Sequence, residues 1–235
     1  MRVLSIESSG RVASVCVTEG GRTLAYAGQN NGLTHSVALM PLIEDMLRNG
    51  GVSRDTIDCI AVANGPGSFT GVRIGVAAAK GFAWARGIEI CTVSTLAGLA
   101  HNAALCGSNI CAVMDARRGQ VYNALFSVEN AIPVRLTADR ALSVSELAEK
   151  LKMDGGPHIL VGDGAELCYN EIRDVCTGVA LAPEQARWPD ARGVAMAAAI
   201  FIEKGKTVPA EDAAPLYLRP SQAEREAMER TTLNG

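Results

Sequence analysis

Asn64-Gly-Pro-Gly-Ser-Phe-Thr-Gly-Val-Arg-Ile-Gly75 lies between an apolar run, Ile57–Ala63, and an alanine-rich stretch, Val72–Arg86. The run is short and rich in β-branched residues, as a buried strand requires, and the proline-free stretch after the turn reads as a helix. Strand, glycine turn and helix in that order belong to an α/β fold, and they set backbone N–H groups at a helix N-terminus where an anion can bind. The glycine spacing does not suit the common phosphate grips. Gly65, Gly67 and Gly71 give G-x-G-x-x-x-G in place of the dinucleotide fingerprint, and Val72-Arg73 stand where a P-loop needs Lys and then Ser or Thr. A second reading comes from the helix. Gly71, Gly75 and Ala79 recur every fourth residue and line one face almost without side chains. Close packing, either inside the chain or against another protein, offsets the cost of about 1 kcal/mol that Gly75 brings to a helix interior.

The rest of the chain narrows the choice. It has 235 residues, 48% of them hydrophobic but only 4% aromatic, enough to fill one large core or two small ones with Ala, Val, Leu and Ile. The formal net charge is −3, from 22 basic and 25 acidic residues, so any contact with nucleic acid has to be local or made through a partner. The N-terminus, MRVLSIESS, enters a strand with no apolar leader before it, and no segment approaches membrane-spanning length; the expectation is a cytoplasmic protein. Seven cysteines are scattered through apolar contexts with no C-x-x-C pair, as small buried hydrophobes in a reducing compartment.

Along the chain, Arg2–Glu7, Val12–Thr18 and Arg22–Ala27 read as strands, the last two joined by a Gly20-Gly21 hairpin turn. A helix capped by Thr34 runs through Arg48 with Pro41 inside it, which predicts a kink or a loose first turn. Beyond the glycine turn and its helix come a strand at Ile88–Val93 and a helix from Ser94 to about Leu105. A second unit opens with the strand Ile110–Asp115, a turn at Ala116–Gly119 and a returning strand, Gln120–Ser127. Ile132–Leu142, a helix at Ser143–Lys152, the strand His158–Val161, Gly162-Asp-Gly-Ala165 leading into a short helix, and a long helix at Asp190–Lys204 follow. Three antiparallel strands followed by crossover helices predict mixed sheets with flanking helices, divided at 1–107 and 108–235.

The strand ending in IESS, THSVALMPLIEDML, NGPGSFTGVRIGVAAAKG, VSTLAGLA, MDARRGQVY and PLYLRP stand in the order and spacing of the bacterial TsaB (YeaZ) family, which the chain resembles over nearly its whole length. The resemblance implies an actin/hexokinase-like (ribonuclease H-like) fold of two related domains. It implies a role in making threonylcarbamoyladenosine next to the anticodon of tRNAs that read codons beginning with A. In that system a separate enzyme makes a threonylcarbamoyl adenylate, the paralogue TsaD transfers the group to tRNA, TsaB pairs with TsaD, and the ATPase TsaE engages the pair. ATP and metal then belong to the partner proteins, no cofactor is firmly bound here, and tRNA is reached only through the complex.

The transferase paralogue carries an H-x-x-x-H metal motif on the helix after its glycine block; the matching positions here are Thr95 and Leu99, and Leu cannot ligate a metal. The resemblance therefore implies a non-catalytic scaffold. An alternative is an ATP-hydrolysing or phosphotransfer enzyme that uses Glu7, Ser8 and Asp115 at a degenerate nucleotide site; GDGA at 162–165 is only weakly similar to the superfamily's adenosine loop and reads first as a glycine turn into a helix. A peptidase is a weaker one, since no Ser or Cys has an identifiable base. His35 reads as a helix-start or interface residue. The scaffold reading makes the helices Thr34–Leu47 and Val72–Arg86 a partner surface, centred on Met40, Ile43, Leu47, Gly75 and Ala79 with Glu44, Arg73 and Lys80 at its rim. The same surface used twice gives a homodimer in isolation, and a large side chain at Gly75 should weaken pairing while leaving the monomer folded.

Overall fold

The computed structural model describes residues 1–219; the end of the tail, 220–235, lies outside them. The first half builds β1 (Arg2–Glu7), β2 (Ala13–Glu19), β3 (Arg22–Gln29), α1 (His35–Asn49), β4 (Cys59–Ala63), α2 (Phe69–Arg86), β5 (Glu89–Val93) and α3 (Thr95–Asn102). The second builds β6 (Asn109–Arg117), β7 (Gln120–Glu129), β8 (Ile132–Arg135), β9 (Arg140–Ser143), α4 (Val144–Asp154), β10 (His158–Val161), α5 (Ala165–Ile172), β11 (Val179–Leu181), α6 (Glu184–Arg187) and α7 (Ala191–Glu203).

Each half holds one sheet. The first has the order β3-β2-β1-β4-β5, and the second β8-β7-β6-β10-β11 with β9 also paired to β7. In both, the opening hairpin is antiparallel and the next two strands join parallel to its first strand. Leu4 and Ile6 alternate with Val3, so β1 is buried on both faces. Leu4 and Ile6 pack with Val15, Val17, Ile60 and Val62 under α1 and α2. Val3, Ala61 and Ala63 turn the other way, into a core that also takes Leu96 and Leu99 of α3, Val194 and Ala198 of α7, and Ile110 and Met114 of the second sheet. The outer face of the second sheet is covered by α4 and α5 through Leu147, Leu151, Cys168 and Ile172. The layers are thus α1/α2, sheet, α3/α7, sheet, α4/α5.

Several sequence expectations shift in position. The division at 107/108 separates the two sheets, but α7 crosses back to lie against β1, β2, β4 and β5 of the first, and Val208 bridges to Ile90 at its edge. The stretch Ile132–Leu142 is two strands, β8 and β9, and β11 and α6 are added to the elements expected. Thr34 does precede α1, yet its hydroxyl meets Ser36 Oγ at 3.2 Å and makes no capping bond, while α1 continues through Pro41 to Asn49. Ser68, by contrast, caps α2 by accepting from Gly71 N, so that helix starts three residues before Val72. Among the described residues no helix is long and apolar enough to cross a membrane.

Candidate functional site

Two surfaces concentrate the residues singled out above: the outside of the α1–α2 pair, and a cleft between the sheets. The pair comes first because its inner face shows where the small-residue stripe points. Gly71, Gly75, Ala79 and Ala83 are all buried. A Cβ on Gly75 would overlap Ser8 Oγ, and one on Gly71 would overlap Ser8 O. Ser8 Oγ in turn donates to Gly71 O at 2.9 Å. The stripe therefore lets α2 sit down on the loop after β1, and Gly75 and Ala79 are not at the centre of a partner surface. Ile43 and Leu47 are also turned in, 2% and 8% exposed, beneath the helix pair. A large side chain at Gly75 would strike the chain's own β1 loop, so the expectation that such a monomer stays folded fails with the same geometry.

The outward side of the same helices carries a different set. On α1, Val37 is 64% and Met40 45% exposed, with Glu44 one turn further on. On α2, Ala77 and Gly81 are exposed, Ile74, Ala78 and Phe82 are half-buried, and nothing lies within 4 Å of where a Cβ on Gly81 would stand. The helices run side by side: Leu33 and His35 border Thr70 and Ile74 at one end. At the other end Met40, Glu44 and Val52 border Phe82 across a groove of about 490 Å³ floored by Ile43 and Leu47. His35 is a helix-start residue, its Nε2 donating to Gly10 O at 2.8 Å and tying α1 to the loop after β1.

Arg73 and Lys80, expected at a partner rim, instead hold the C-terminal segment along α2. Lys80 Nζ donates to Glu211 O at 2.9 Å and Ala213 O at 3.1 Å. Arg73 Nε donates to the Tyr217 hydroxyl at 2.7 Å, its guanidinium lies 4.1 Å from the centre of the Phe69 ring, and Phe69 stacks on Tyr217 at 5.0 Å. Leu216 N donates to Asn64 O at 2.7 Å, and Arg219 Nη1 reaches Ala116 O of the second half at 3.2 Å. The segment 215–219 is thereby a strap from the glycine turn to the β6–β7 turn.

The cleft, about 600 Å³, is lined by Ser9–Arg11, Gly67–Phe69, Asp115–Arg117, Asp163 and Glu166. Of the degenerate nucleotide site, only Asp115 faces it. Ser8 is fully buried and engaged with Gly71 O. Glu7 is 1% exposed, and burial pushes its pKa from the ordinary 4.5 up to about 7 against the opposing pull of the Ser9 N–H, which donates to Oε1 at 2.6 Å. Asp115 pairs with Arg117 at 3.1 Å, and its N–H donates to Asp163 Oδ1 at 2.8 Å, so GDGA closes back on the turn beside it. Burial raises the Asp163 pKa as well. Thr95 is buried at the start of α3, its hydroxyl without a partner among the described residues, and Leu99 is fully buried in the core between the sheets. The three histidines bond no Ser or Cys among the described residues; His158 bonds Gly156 O and Asp154.

Comparison with known proteins fits this geometry. The family model for TsaD, tRNA N6-adenosine threonylcarbamoyltransferase, matches residues 31–226. The tRNA threonylcarbamoyladenosine biosynthesis protein TsaB of Bacillus subtilis is 33% identical over 175 residues, 74% of this chain and 76% of the relative. TsaB of Escherichia coli is 30% identical over 226 residues, 95% and 96% of the two chains. The crystal structure of YeaZ from Pseudomonas aeruginosa superposes with a TM-score of 0.81 at 26% identity, covering 92% of this chain and 99% of that one. The duplicated strand order is that of the actin/hexokinase-like fold. With nearly the whole of one relative and three quarters of another spanned, and the transferase model matching from residue 31 to 226, this chain belongs to the TsaB (YeaZ) family, within the wider family of the threonylcarbamoyltransferase.

Proposed function

We propose that this chain acts in tRNA threonylcarbamoyladenosine biosynthesis as the non-catalytic partner of the TsaD transferase, docking through the outer faces of α1 and α2. The observation that carries the reading is the outward strip of Val37, Met40, Ala77 and Gly81: apolar on one helix, small on the other, and backed by a filled core that holds both helices rigid. Small residues on α2 let a partner helix approach closely, and exposed Val and Met supply apolar area. The same strip can pair with itself, giving a homodimer when the transferase is absent. Glu7, enclosed and held near half protonation at neutral pH, is poorly placed to hold Mg²⁺, and Leu99 fills the place of a metal ligand with core; both favour a scaffold over an ATP-hydrolysing enzyme. ATP and metal are then handled by the transferase and by the TsaE ATPase that engages the pair.

Ala77→Arg tests this. The site is exposed, so the fold tolerates the side chain, whereas a partner helix does not. Co-elution with the transferase should weaken by at least about tenfold, roughly the effect of losing one central contact, with the thermal midpoint unchanged. Undiminished co-elution would remove the α1–α2 surface as the docking site.

A further inference from the structure

The β6–β7 turn carries arginines where the backbone favours other residues. Arg117, Arg118 and Gly119 all adopt left-handed conformations, with φ of 66°, 57° and 69°. Asn, Asp and Gly take up that conformation with little strain, and they dominate hairpin turns of this kind. Two long β-substituted side chains in succession are the costlier choice, so the reason for them lies in what the side chains do. Both are exposed. Arg11 lines the same cleft from the opposite half, and Arg219 is brought to this turn by its bond to Ala116 O. Asp115 pairs with Arg117 at 3.1 Å and, with Asp163 and Glu166, adds three carboxyl groups to the cleft lining, while the Arg117 side chain stays 82% exposed, so an anion is best met from the solvent side of the arginines.

We infer that this arginine rim, Arg117 and Arg118 with Arg11 and Arg219, binds the phosphodiester backbone of RNA directly. Guanidinium forks match phosphate oxygens in pairs, and arginines projecting from a tight turn reach a backbone that a flat surface of a net-acidic protein would repel. The inference rests on the reading of this chain as part of a tRNA-modifying pair, and adds that the chain itself touches the RNA. Acidic protein surfaces also bind arginine; a turn that projects side chains outward from a rim favours the extended polyanion.

Arg117→Asn/Arg118→Asn removes both charges while installing a residue suited to the left-handed backbone, so folding is preserved. Affinity for unmodified tRNA, measured by fluorescence anisotropy across a salt series, should fall about tenfold for the variant. The slope of log affinity against log salt should become shallower by roughly 1.4 to 1.8, given about 0.7 to 0.9 per phosphate contact. Arg117→Lys/Arg118→Lys should retain most of the binding. The measurement is made on the full chain alone and on the chain paired with the transferase, with the transferase alone as baseline. An unchanged affinity and slope overturn the inference, as does a wild-type chain that adds no RNA binding in either setting. If the Asn variant keeps RNA but loses co-elution with the transferase, the arginines contact protein and the inference also fails. Failure of the wild-type chain to pair would instead sink the docking proposal, and leaves the RNA titration of the chain alone to be read by itself.

Discussion

Glu7 ends β1 where a related fold would use a carboxylate for metal, and its surroundings remove that use. The side chain is enclosed, and the pKa of about 7 against an ordinary 4.5 comes chiefly from burial. The sign of the resulting pH dependence follows. Below pH 4.5 the carboxyl is protonated in both folded and unfolded chains and costs nothing. Between 4.5 and 7 the unfolded chain gives up a proton that the native state keeps, so stability falls as pH rises; above 7 the penalty is complete at about 3 kcal/mol, from about 1.4 kcal/mol per unit. Glu7→Gln abolishes this titration and keeps an oxygen for the Ser9 N–H. Urea unfolding should show the variant gaining on the wild type by about 3 kcal/mol between pH 4.5 and pH 8. A difference independent of pH would mean that Glu7 is ionised in the native state. None of this was legible beforehand, because an acidic residue after an apolar strand looks the same in sequence whether it faces a cleft or is sealed beneath the next helix.

At the level of elements, α2 was easy to find and hard to orient. The spacing of Gly71, Gly75 and Ala79 does mark a face of close approach, but Ala77, Ala78, Gly81 and Ala85 make the opposite side nearly as small. With so little contrast between faces, periodicity cannot say which one is buried. The structure decides it, through Ser8 and β4 on one side and open space on the other. The two glycines should therefore respond with opposite signs. Gly75→Ala has to displace Ser8 Oγ and its bond to Gly71 O, and should destabilise the chain by about 1–3 kcal/mol. Gly81→Ala meets nothing, gains helix propensity and should stabilise by about 0.5–1 kcal/mol. Chemical denaturation of the isolated chain measures both, and equal effects at the two sites would refute the assigned orientation of α2. The strap contacts of Arg73 and Lys80 are hidden in the sequence for a related reason: a basic residue on a helix face looks like a rim, and a contact with Tyr217 or Glu211 O, more than a hundred residues away in sequence, leaves no local trace.

Over the whole molecule, the repeated order of strands and helices made the two-sheet plan readable, since a hairpin followed by crossover connections permits few sheet arrangements. The destination of α7 was not readable. Its alanine-rich sequence says only that it packs closely, and it packs on the sheet of the other half. That placement has an energetic consequence. Residues of β1, β4 and β5, of α3 and α7, and of β6 and β7 share one apolar core, so neither sheet can lose its inner layer without exposing the inner face of the other. Independent unfolding of two halves would require that core to split along a surface where Ala and Val of both sheets meet the same helices. We therefore expect a single calorimetric transition, with total enthalpy near 160 kcal/mol at about 60 °C and a van't Hoff enthalpy equal to it. Two resolved transitions, or a van't Hoff enthalpy near half the total, would show that the sheets unfold separately. The fragment 1–107 adds a second readout. It lacks α7, the Val208 bridge at the β5 edge and the strap over the glycine turn, which together cover one face and one edge of its sheet. Expressed alone, it should show no cooperative melt, because only the short α3 is left against the apolar inner face of β1, β4 and β5, and α3 itself loses its packing on α7 and β6.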